Sequence, residues 1–318
     1  MNIVVLDAGT LGDDLQLNVL EGFGTVTAYP STASSLVGER IANADVVVVN
    51  KVKIGGKELD CAPGLKLICV AATGYDNIDV AECRKRGIGV CNVAGYSTDS
   101  VAQITAATVL YLACRYGEYV PFVRDGFYTA SNTANKVFPP FYELRGKTWG
   151  IVGYGNIGKQ VGAIATAFGC RLLVCKQTPD DTLPCVDIDT LCKESDIITL
   201  HTPLTQQTRG LIDSRRIGLM KKGVILVNAA RGAVADEAAL AKALLNGDIG
   251  ALGIDVYSSE PMPANHPFYP LRKLPNLCLT PHMAWAAYEA RKRCLDEICV
   301  NIQHYMDGKQ RNRVDIIQ

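Results

Sequence analysis

The strongest constraint on the fold is a regular alternation of short apolar runs with segments of helical periodicity. Eleven runs have the length and β-branched content of strands, and most are apolar at consecutive positions. Such runs are typical of parallel strands that are covered on both faces. The predicted strands are 2–7, 25–29, 45–50, 66–71, 87–93, 148–153, 171–175, 196–201, 223–229, 251–255 and 276–280. This pattern predicts an α/β protein with parallel sheets.

Two long helical patterns organise these strands into domains. One runs from Ser100 to about Tyr116, after the capping residues Ser97, Thr98 and Asp99, and separates five strands from six. The other, Tyr288 to about Met306, follows the last strand, and we expect it to pack on the first series. The prediction is two doubly wound domains with a cleft between them, formed by residues 1–99 plus 287–318 and by residues 100–286.

Composition and charge limit the classes of function. Lys plus Arg and Asp plus Glu each number 32, so the chain lacks the positive charge that nucleic-acid binding needs, and its charge gives no reason to expect an anionic membrane partner. No apolar run approaches the roughly 18 residues of a membrane span, and the N-terminus has no signal-peptide pattern. The twelve cysteines are scattered, without a C-x-x-C pair, which predicts reduced core residues and no metal site. We expect a cytoplasmic protein that acts on small molecules.

Unusual polar residues follow the strands of the second series. In open parallel sheets, ligands bind beyond the carboxyl ends of the strands. Each residue alone has a structural explanation, such as a turn, a solvated charge, a helix cap or a hydrogen-bonded histidine. Their shared position at one edge of one sheet favours a functional site. They are the glycines of 153–158, Lys176, His201, Thr202, Pro203, Asn228, Arg231, Asp255, Glu260 and His282.

The glycine pattern Gly153-x-Gly155-x-x-Gly158 predicts a dinucleotide site. It follows a predicted strand and opens a helical pattern, which is the context that this motif requires. Its glycines let the backbone approach a pyrophosphate, and the helix N–H groups, beginning at Asn156 and Ile157, point at it.

The residue that ends the next strand selects the cofactor. An acidic residue usually holds the free ribose hydroxyls of NAD there, and this chain has Lys176 instead. A lysine could pair with the 2′-phosphate of NADP, helped by the Gln177 amide and the Thr178 hydroxyl. Alternatively, Lys176 lies in solvent and NAD is held by backbone groups, or by Asp180 or Asp181. We favour NADP or dual use over NAD alone.

Two of these residues, together with a neighbouring carboxylate, suit hydride transfer at a carbon that bears oxygen and lies next to the substrate's carboxylate. Arg231 could bind the carboxylate in a bidentate manner. His282 could pass a proton to or from the substrate oxygen, and a neighbouring carboxylate would favour its protonated form.

The chain resembles the D-isomer-specific 2-hydroxyacid dehydrogenases over essentially its whole length. The TGYDNID, YSTDSVAQ and PHMAW variants are most similar to the glycerate dehydrogenase, or hydroxypyruvate reductase, branch. The stretches that carry the resemblance are ATGYDNIDVAECRKRGIGVCNVAGYSTDSVAQ (72–103), GKTWGIVGYGNIGKQV (146–161), LHTPLT (200–205), VNAARGAVADEAAL (227–240), LGIDVYSSEP (252–261) and TPHMAWAAYEAR (280–291).

The resemblance implies a flavodoxin-like substrate domain, an inserted Rossmann cofactor domain and a homodimer. The substrate is then a small 2-oxo or D-2-hydroxy acid, of the hydroxypyruvate/D-glycerate or glyoxylate/glycolate type. Arg231 binds its carboxylate or carbonyl. His282 is the acid in carbonyl reduction and the base in the reverse reaction, and Glu260 pairs with His282 and favours its protonated form.

The resemblance also assigns residues around the substrate and the cofactor. Asp255 orients the nicotinamide carboxamide, and the backbone of Thr73 and Gly74 faces the substrate carboxylate across the cleft. His201 is then a cofactor-contact loop residue rather than an acid–base group. Trp285 either lines the substrate pocket or is a core or dimer-contact aromatic. Further cofactor contacts are Thr202, Pro203, Ala229, Ala230, Arg231 and His282.

Two other functions fit the same fold. One is a non-catalytic NAD(H)-sensing corepressor, which we expect less because the chain shows no extended tails for recruiting partners. The other is a formate- or phosphite-type dehydrogenase, which the glycerate-type loops disfavour. The identity of the substrate side chain is left open, because one methylene changes preference by only about 1–3 kcal/mol.

Overall fold

A computed structural model of the protein describes residues 1–177 and 183–316. The strands of this part are β1 Asn2–Val5, β2 Thr25–Ala28, β3 Val46–Val49, β4 Leu67–Val70, β5 Gly89–Cys91, β6 Thr148–Val152, β7 Arg171–Cys175, β8 Ile197–Leu200, β9 Val224–Asn228, β10 Ile249–Ile254 and β11 Leu277–Leu279. The α-helices are α1 Val37–Ile41, α2 Gly56–Asp60, α3 Val80–Lys85, α4 Thr98–Ala113, α5 Tyr116–Arg124, α6 Phe127–Ala130, α7 Asn156–Ala167, α8 Ile188–Glu194, α9 Ser214–Ile217, α10 Glu237–Asn246 and α11 Tyr288–Met306. Short 3₁₀ helices are Ala8–Leu11, Leu17–Phe23, Ser34–Leu36, Gly232–Val234 and Tyr269–Leu271.

The eleven predicted strands are confirmed, with ends that differ by a few residues. The helix predicted for 100–116 differs more. α4 begins at Thr98, so that Asp99 lies in its first turn, where an acidic side chain interacts favourably with the helix dipole. It ends at Ala113, because Arg115 adopts a left-handed conformation with φ 56°, and α5 begins at Tyr116. The predicted helix therefore corresponds to α4, which ends three residues earlier than expected, and α5 is a separate helix that follows it.

The chain forms two compact units. Unit 1 comprises residues 1–97 and 286–318, and unit 2 comprises residues 98–285. The boundaries expected from the sequence lie one or two residues away, because α4 starts earlier than the pattern indicated.

Unit 1 is built on a parallel sheet of five strands in the order β2-β1-β3-β4-β5. This is the flavodoxin-like order. The C-terminal helix α11 packs against β4 and against residues 17–23. Arg291 of α11 donates hydrogen bonds to the Leu11 carbonyl at 2.7 Å and to Oδ2 of Asp14 at 2.8 Å. Residues from both ends of the chain thus form one unit.

Unit 2 is built on a parallel sheet of six strands in the order β11-β10-β9-β8-β6-β7. Beyond β7, Cys185 forms an isolated parallel bridge with Val174. Counted along unit 2, this bridge takes the place of the third strand and completes a Rossmann order, in which the third strand lies outside the second and the first. The sequence pattern predicts no strand at this position. The strand order reverses between β6 and β8, and ligands bind at such a switch point.

Both faces of the second sheet are buried. Leu226 of β9 belongs to the core on the side of α8 and α10, whereas the next residue, Val227, belongs to the core under α4 and α7. A Cβ at Gly253 of β10 would lie 2.4 Å from Cγ2 of Thr108, so α4 rests directly on this strand. This close packing explains why the strands are apolar at consecutive positions. No helix in the described part of the chain is long and apolar enough to cross a membrane.

Candidate active site

Each of the three glycines in the turn from β6 into the first turn of α7 is present for a different structural reason. Gly153 has φ +90°, and a Cβ there would lie 2.7 Å from the backbone of His201. A Cβ at Gly158 would lie 2.2 Å from the Gly153 carbonyl oxygen. A Cβ at Gly155, in contrast, would meet no other part of the described chain within 4 Å. The packing of the protein requires the first and third glycines, whereas the second keeps open the space before the N-terminus of α7, which fits a pyrophosphate.

Lys176 lies beside this glycine loop. It directly follows β7, whose last residue, Cys175, accepts a hydrogen bond from the Gly153 N–H at 2.8 Å. Lys176 is half-buried and Gln177 is exposed. Thr178, Asp180 and Asp181, which the sequence analysis considered as cofactor contacts, lie outside the described residues. A basic side chain therefore takes the place at which NAD-binding domains usually carry an acidic one.

His201 follows β8, on the other side of the switch point. Its backbone N–H donates to the Val152 carbonyl at 2.7 Å, which fixes it next to the glycine loop. Both nitrogens of its ring are buried and have no hydrogen-bond partner in the described part of the chain. Burial lowers the pKa of His201 to about 3, so the ring is neutral near pH 7. A neutral, enclosed imidazole does not suit an acid–base role. Its two unpaired nitrogens are polar groups that a bound ligand could hydrogen-bond. Thr202 and Pro203 continue this loop.

The loop after β9 holds Arg231 through a buried asparagine. Nδ2 of Asn228 donates to the Arg231 carbonyl at 2.9 Å, and its Oδ1 accepts from the Ala230 N–H at 3.0 Å. A Cβ at Gly232 would lie 2.1 Å from the carbonyl carbon of Tyr257, so this loop packs directly on the segment after β10. The backbone of Arg231 is fixed from both sides.

Asp255, at the end of β10, fixes the loop that carries His282. Its Oδ1 accepts from the Thr280 hydroxyl at 2.7 Å and from the Met283 N–H at 2.9 Å, and its Oδ2 accepts from the Ala284 N–H at 2.9 Å. The carboxylate is buried, and His282 lies between its donors with φ 52°. The left-handed backbone of a residue other than glycine is unfavourable, so the surrounding contacts have to stabilise it. The sequence did not indicate this task for Asp255.

Glu260 and His282 form a direct pair. Oε2 of Glu260 lies 2.7 Å from Nδ1 of His282, and Oε1 accepts from the Tyr257 N–H at 3.0 Å. The other ring nitrogen, Nε2 of His282, has no hydrogen bond to residues 1–177 or 183–316. A carboxylate that orients an imidazole by one nitrogen leaves the other available for proton transfer.

The structure brings together most of the predicted site residues. Gly153, Lys176, His201, Arg231 and the Glu260–His282 pair all belong to unit 2 and follow strands of one sheet. The same holds for Asn156, Ile157, Ala229, Ala230 and Asp255. Trp285, which is half-buried, is the last residue of this unit.

Thr73 and Gly74 belong to unit 1. The Thr73 hydroxyl donates to the Val93 carbonyl at 2.9 Å, and the Thr73 carbonyl accepts from Nδ2 of Asn92 at 2.7 Å. These two bonds give the turn after β4 a defined shape. In the described part of the chain, no cluster of three or more His, Cys, Asp or Glu side chains could hold a metal ion.

Comparisons with known proteins agree with this architecture. The family model described as "D-isomer specific 2-hydroxyacid dehydrogenase, NAD binding domain" matches residues 106–284, more than half of the chain. A glycerate dehydrogenase of Methylorubrum extorquens is 38% identical over 87% of this chain and 87% of its own. A hydroxypyruvate reductase of Blautia hydrogenotrophica is 35% identical over 99% of this chain and 100% of its own.

Two solved structures have the same fold over the full length. A D-lactate dehydrogenase from Aquifex aeolicus, complexed with NAD and lactic acid, is 27% identical, with a TM-score of 0.86 and coverage of 100% of both chains. An acyclic imino acid reductase, Bsp5, in complex with NADPH and D-Arg, is also 27% identical, with a TM-score of 0.84 over 99% of this chain and 100% of its own. The cofactor class of this chain is therefore a nicotinamide dinucleotide. The chain belongs to the D-isomer-specific 2-hydroxyacid dehydrogenases, oxidoreductases that exchange a hydride between a nicotinamide cofactor and a 2-oxo or 2-hydroxy acid.

Proposed function

We propose that the protein reduces a small 2-oxo acid of the hydroxypyruvate or glyoxylate type to the D-2-hydroxy acid and also catalyses the reverse oxidation. The observation that carries this proposal is the 2.7 Å contact of Glu260 with Nδ1 of His282, on the sheet edge that also carries Arg231. The relatives named glycerate dehydrogenase and hydroxypyruvate reductase support the substrate class.

Arg231 binds and orients the substrate in this proposal. A guanidinium is a planar fork of donors that matches a carboxylate, and it keeps its charge at every physiological pH. Asn228 and Gly232 hold the Arg231 backbone, so the fork has a fixed base. Residues 1–99 plus 287–318 form the substrate-binding domain in this proposal, and Thr73 and Gly74, whose turn after β4 has a defined shape, are its proposed substrate contacts.

His282 moves the proton. The bound nicotinamide cofactor supplies the hydride to the carbonyl carbon. Protonated His282 donates its Nε2 proton to the carbonyl oxygen, and the C=O group becomes CH–OH. In the oxidation, neutral His282 accepts the hydroxyl proton at the same atom. Glu260 holds Nδ1 throughout and stabilises the charged ring.

Residues 100–286 are the cofactor-binding domain in this proposal. Gly153, Gly155 and Gly158 with the first residues of α7 bind the pyrophosphate, and Asp255 orients the nicotinamide carboxamide. The remaining contacts come from the strand ends, at His201, Thr202, Pro203, Ala229, Ala230 and Arg231.

A reductase assay over a panel of 2-oxo acids tests the reaction. We expect turnover of hydroxypyruvate or glyoxylate by the wild type and a loss of about 10²-fold or more in His282→Ala, which is purified in parallel as a control for contaminating reductases. Oxidation of formate or phosphite without turnover of any 2-oxo acid would contradict the proposal. The absence of all turnover, with tight cofactor binding, would favour a sensing function instead.

Lys176 makes NADP, alone or together with NAD, the proposed cofactor. A lysine beside the adenosine ribose attracts the 2′-phosphate that an acidic residue would repel. Removing a charged hydrogen-bond donor from a phosphate typically costs 1.5–3 kcal/mol, so Lys176→Ala should raise the Kd for NADPH about tenfold or more.

Fluorescence titration with NADPH and NADH measures this effect. The Kd for NADH should change little, and Lys193→Ala, which removes an exposed lysine of α8, is the control for net charge. A strong preference for NADH that Lys176→Ala leaves unchanged would contradict the assignment.

The partner that we propose for unit 2 is a second copy of the chain. Nine of the twenty exposed large hydrophobic side chains in the described part of the chain fall within residues 116–142. Val137 is 77% exposed, Phe138 75% and Tyr142 69%. A cluster of this density marks an interaction surface rather than random surface hydrophobicity.

Light scattering of charged variants tests the dimer. Val137→Asp combined with Tyr142→Asp should convert a homodimer into a monomer, because two buried charges would face an apolar partner surface. Leu245→Asp is the matched control, since Leu245 is 63% exposed on α10, outside the cluster. A wild type that is monomeric at all concentrations would overturn the proposal.

We also propose that the protein works in the cytoplasm. All twelve cysteines are free thiols, and many of them lie in the core. Burial raises the pKa of Cys192 to about 12 and that of Cys83 to about 11, which makes these thiols unreactive at neutral pH. Free thiols of this number suit a reducing compartment.

A further inference from the structure

A second glutamate–histidine pair, Glu237 and His266, contacts the segment after β10, which carries Glu260. Nε2 of His266 is 3.0 Å from Oε2 of Glu237, and the side chains are only 3% and 10% exposed. Nδ1 of His266 accepts a hydrogen bond from the Phe268 N–H at 3.2 Å. Because Nδ1 is an acceptor, the proton lies on Nε2, which therefore donates to Glu237. Both ring nitrogens of His266 are therefore hydrogen-bonded to other residues of the protein.

Glu237 also contacts the segment after β10, so it connects His266 to that segment. It is the first residue of α10, directly after the N-cap Asp236. Its Oε1 accepts from the Ser258 N–H at 2.9 Å, and its Oε2 accepts from the Ser258 hydroxyl. The Glu237 carboxylate therefore connects His266 and Ser258 to the N-terminus of α10.

The peptide between Tyr257 and Ser258 connects this cluster to the catalytic residues. The Tyr257 N–H donates to Glu260 at 3.0 Å, and the next N–H, that of Ser258, donates to Glu237. The same peptide packs against Gly232, the residue after Arg231, so closely that a Cβ there would lie 2.2 Å from the Ser258 nitrogen. Restraint of this peptide therefore restrains both Glu260 and the Arg231 loop.

We propose that Glu237 and His266 are positioning residues, which hold the Tyr257–Ser258 peptide so that Glu260 stays on Nδ1 of His282. This inference rests on the proposed function, because it acts through the Glu260–His282 pair. Ser258, Ser259 and Glu260 are all exposed, so the protein interior does not hold this segment. Catalysis needs the acid and its orienting carboxylate to be placed within about 0.5 Å, and the buried pair supplies that precision.

A double-mutant cycle on kcat for 2-oxo acid reduction tests the proposal. We expect Glu237→Gln to lower kcat about fivefold, with the cofactor Kd unchanged, because positioning affects the reaction more than binding. In a Glu260→Gln background, the same change should cause no further loss, since the residue through which it acts is gone. A loss that is equally large in both backgrounds would overturn the proposal, as would wild-type kcat in Glu237→Gln.

Conservative variants separate positioning from simple folding. His266→Gln keeps a donor near the place of Nε2 and should retain kcat, whereas His266→Ala should lower it as Glu237→Gln does. Glu297→Gln, which breaks the Glu297–Arg311 pair in unit 1, is the matched control and should leave kcat unchanged. If Glu237→Gln does not fold, Ser258→Ala replaces it in the cycle, because this change removes only one contact of Glu237. A wild type without 2-oxo acid turnover would instead refute the proposed function.

Discussion

Two glutamate–histidine pairs lie close together in unit 2, and they differ in what the imidazole can still do. The Glu260–His282 pair has a 2.7 Å contact, with side chains that are 33% and 19% exposed. The Glu237–His266 pair has a 3.0 Å contact and is almost fully buried. Each glutamate also accepts one N–H of the same two-residue segment, Tyr257 and Ser258.

The two histidines differ in what the ring nitrogen that does not face the glutamate contacts. In His266 it is bonded to the Phe268 N–H, so this ring can neither give nor take a proton without breaking a buried contact. In His282 it has no partner in the described residues, and the side chain is reachable. A carboxylate–imidazole contact alone therefore does not identify a catalytic acid. The availability of the other nitrogen does.

The largest expected effect comes from removing the available nitrogen. His282→Ala should lower kcat for hydroxypyruvate reduction by about 10²- to 10⁴-fold, the usual contribution of a general acid. Cofactor binding, measured by fluorescence titration, should be retained. His266→Gln serves as the comparison from the buried pair and should stay close to wild type. Near-normal turnover by His282→Ala would show that the proton comes from elsewhere.

Removing the orienting carboxylate should have a smaller effect. Glu260→Gln should lower kcat by about 10²-fold at neutral pH, because an amide does not stabilise the charged imidazole and does not select its tautomer. Steady-state reduction of hydroxypyruvate at one neutral pH measures this loss, and wild-type kcat in Glu260→Gln would show that the carboxylate does not act on His282.

The kcat of Glu237→Gln sharpens the comparison. If the buried pair only positions Glu260, this variant should lose about fivefold in kcat, less than Glu260→Gln loses. A loss as large as that of Glu260→Gln would show that the buried pair does more than position the carboxylate.

The architecture could be predicted from sequence because parallel strands have a local signature. Most of the eleven strands are short apolar runs, and this property does not depend on distant residues. The bridge at Cys185 was missed, since a single paired residue has no periodicity. The end of the helix predicted for 100–116 was placed three residues too late for another reason. The helix ends before Arg115, a residue type that does not favour a left-handed backbone, so packing rather than local preference sets this end.

Only those residues of the candidate site that directly follow a predicted strand could be predicted from the sequence. Arg231 and His282 were found because they follow strands of one sheet. Glu237 and His266 are 29 positions apart, and the first is an ordinary residue at a helix start, so their contact arises only in the folded chain. The contacts of Asp255 with the loop 280–284 likewise depend on the adjacent ends of β10 and β11.

His201 extends the comparison to a histidine that has no carboxylate partner. Burial lowers its pKa to about 3, from an ordinary value near 6.5. The folded state therefore resists protonation, while the unfolded chain takes up a proton below pH 6.5. The resulting stability is fully present above that pH and is lost as the pH falls towards 3. Between pH 7 and pH 5, the free energy of unfolding should decrease by about 2 kcal/mol through this residue alone.

Urea unfolding of His201→Leu at pH 7 and pH 5 measures this contribution. The variant should lose about 2 kcal/mol less than the wild type over that interval, because leucine takes up no proton. At pH 7 it should be close to wild type, since replacing two unpaired buried nitrogens by an apolar group removes no hydrogen bond. His304→Gln, at a half-buried position of α11, is the control for replacing a histidine elsewhere and should keep the wild-type pH dependence. Equal losses in His201→Leu and the wild type would mean that the ring has a partner in solution, and that the contrast with the two paired histidines does not hold.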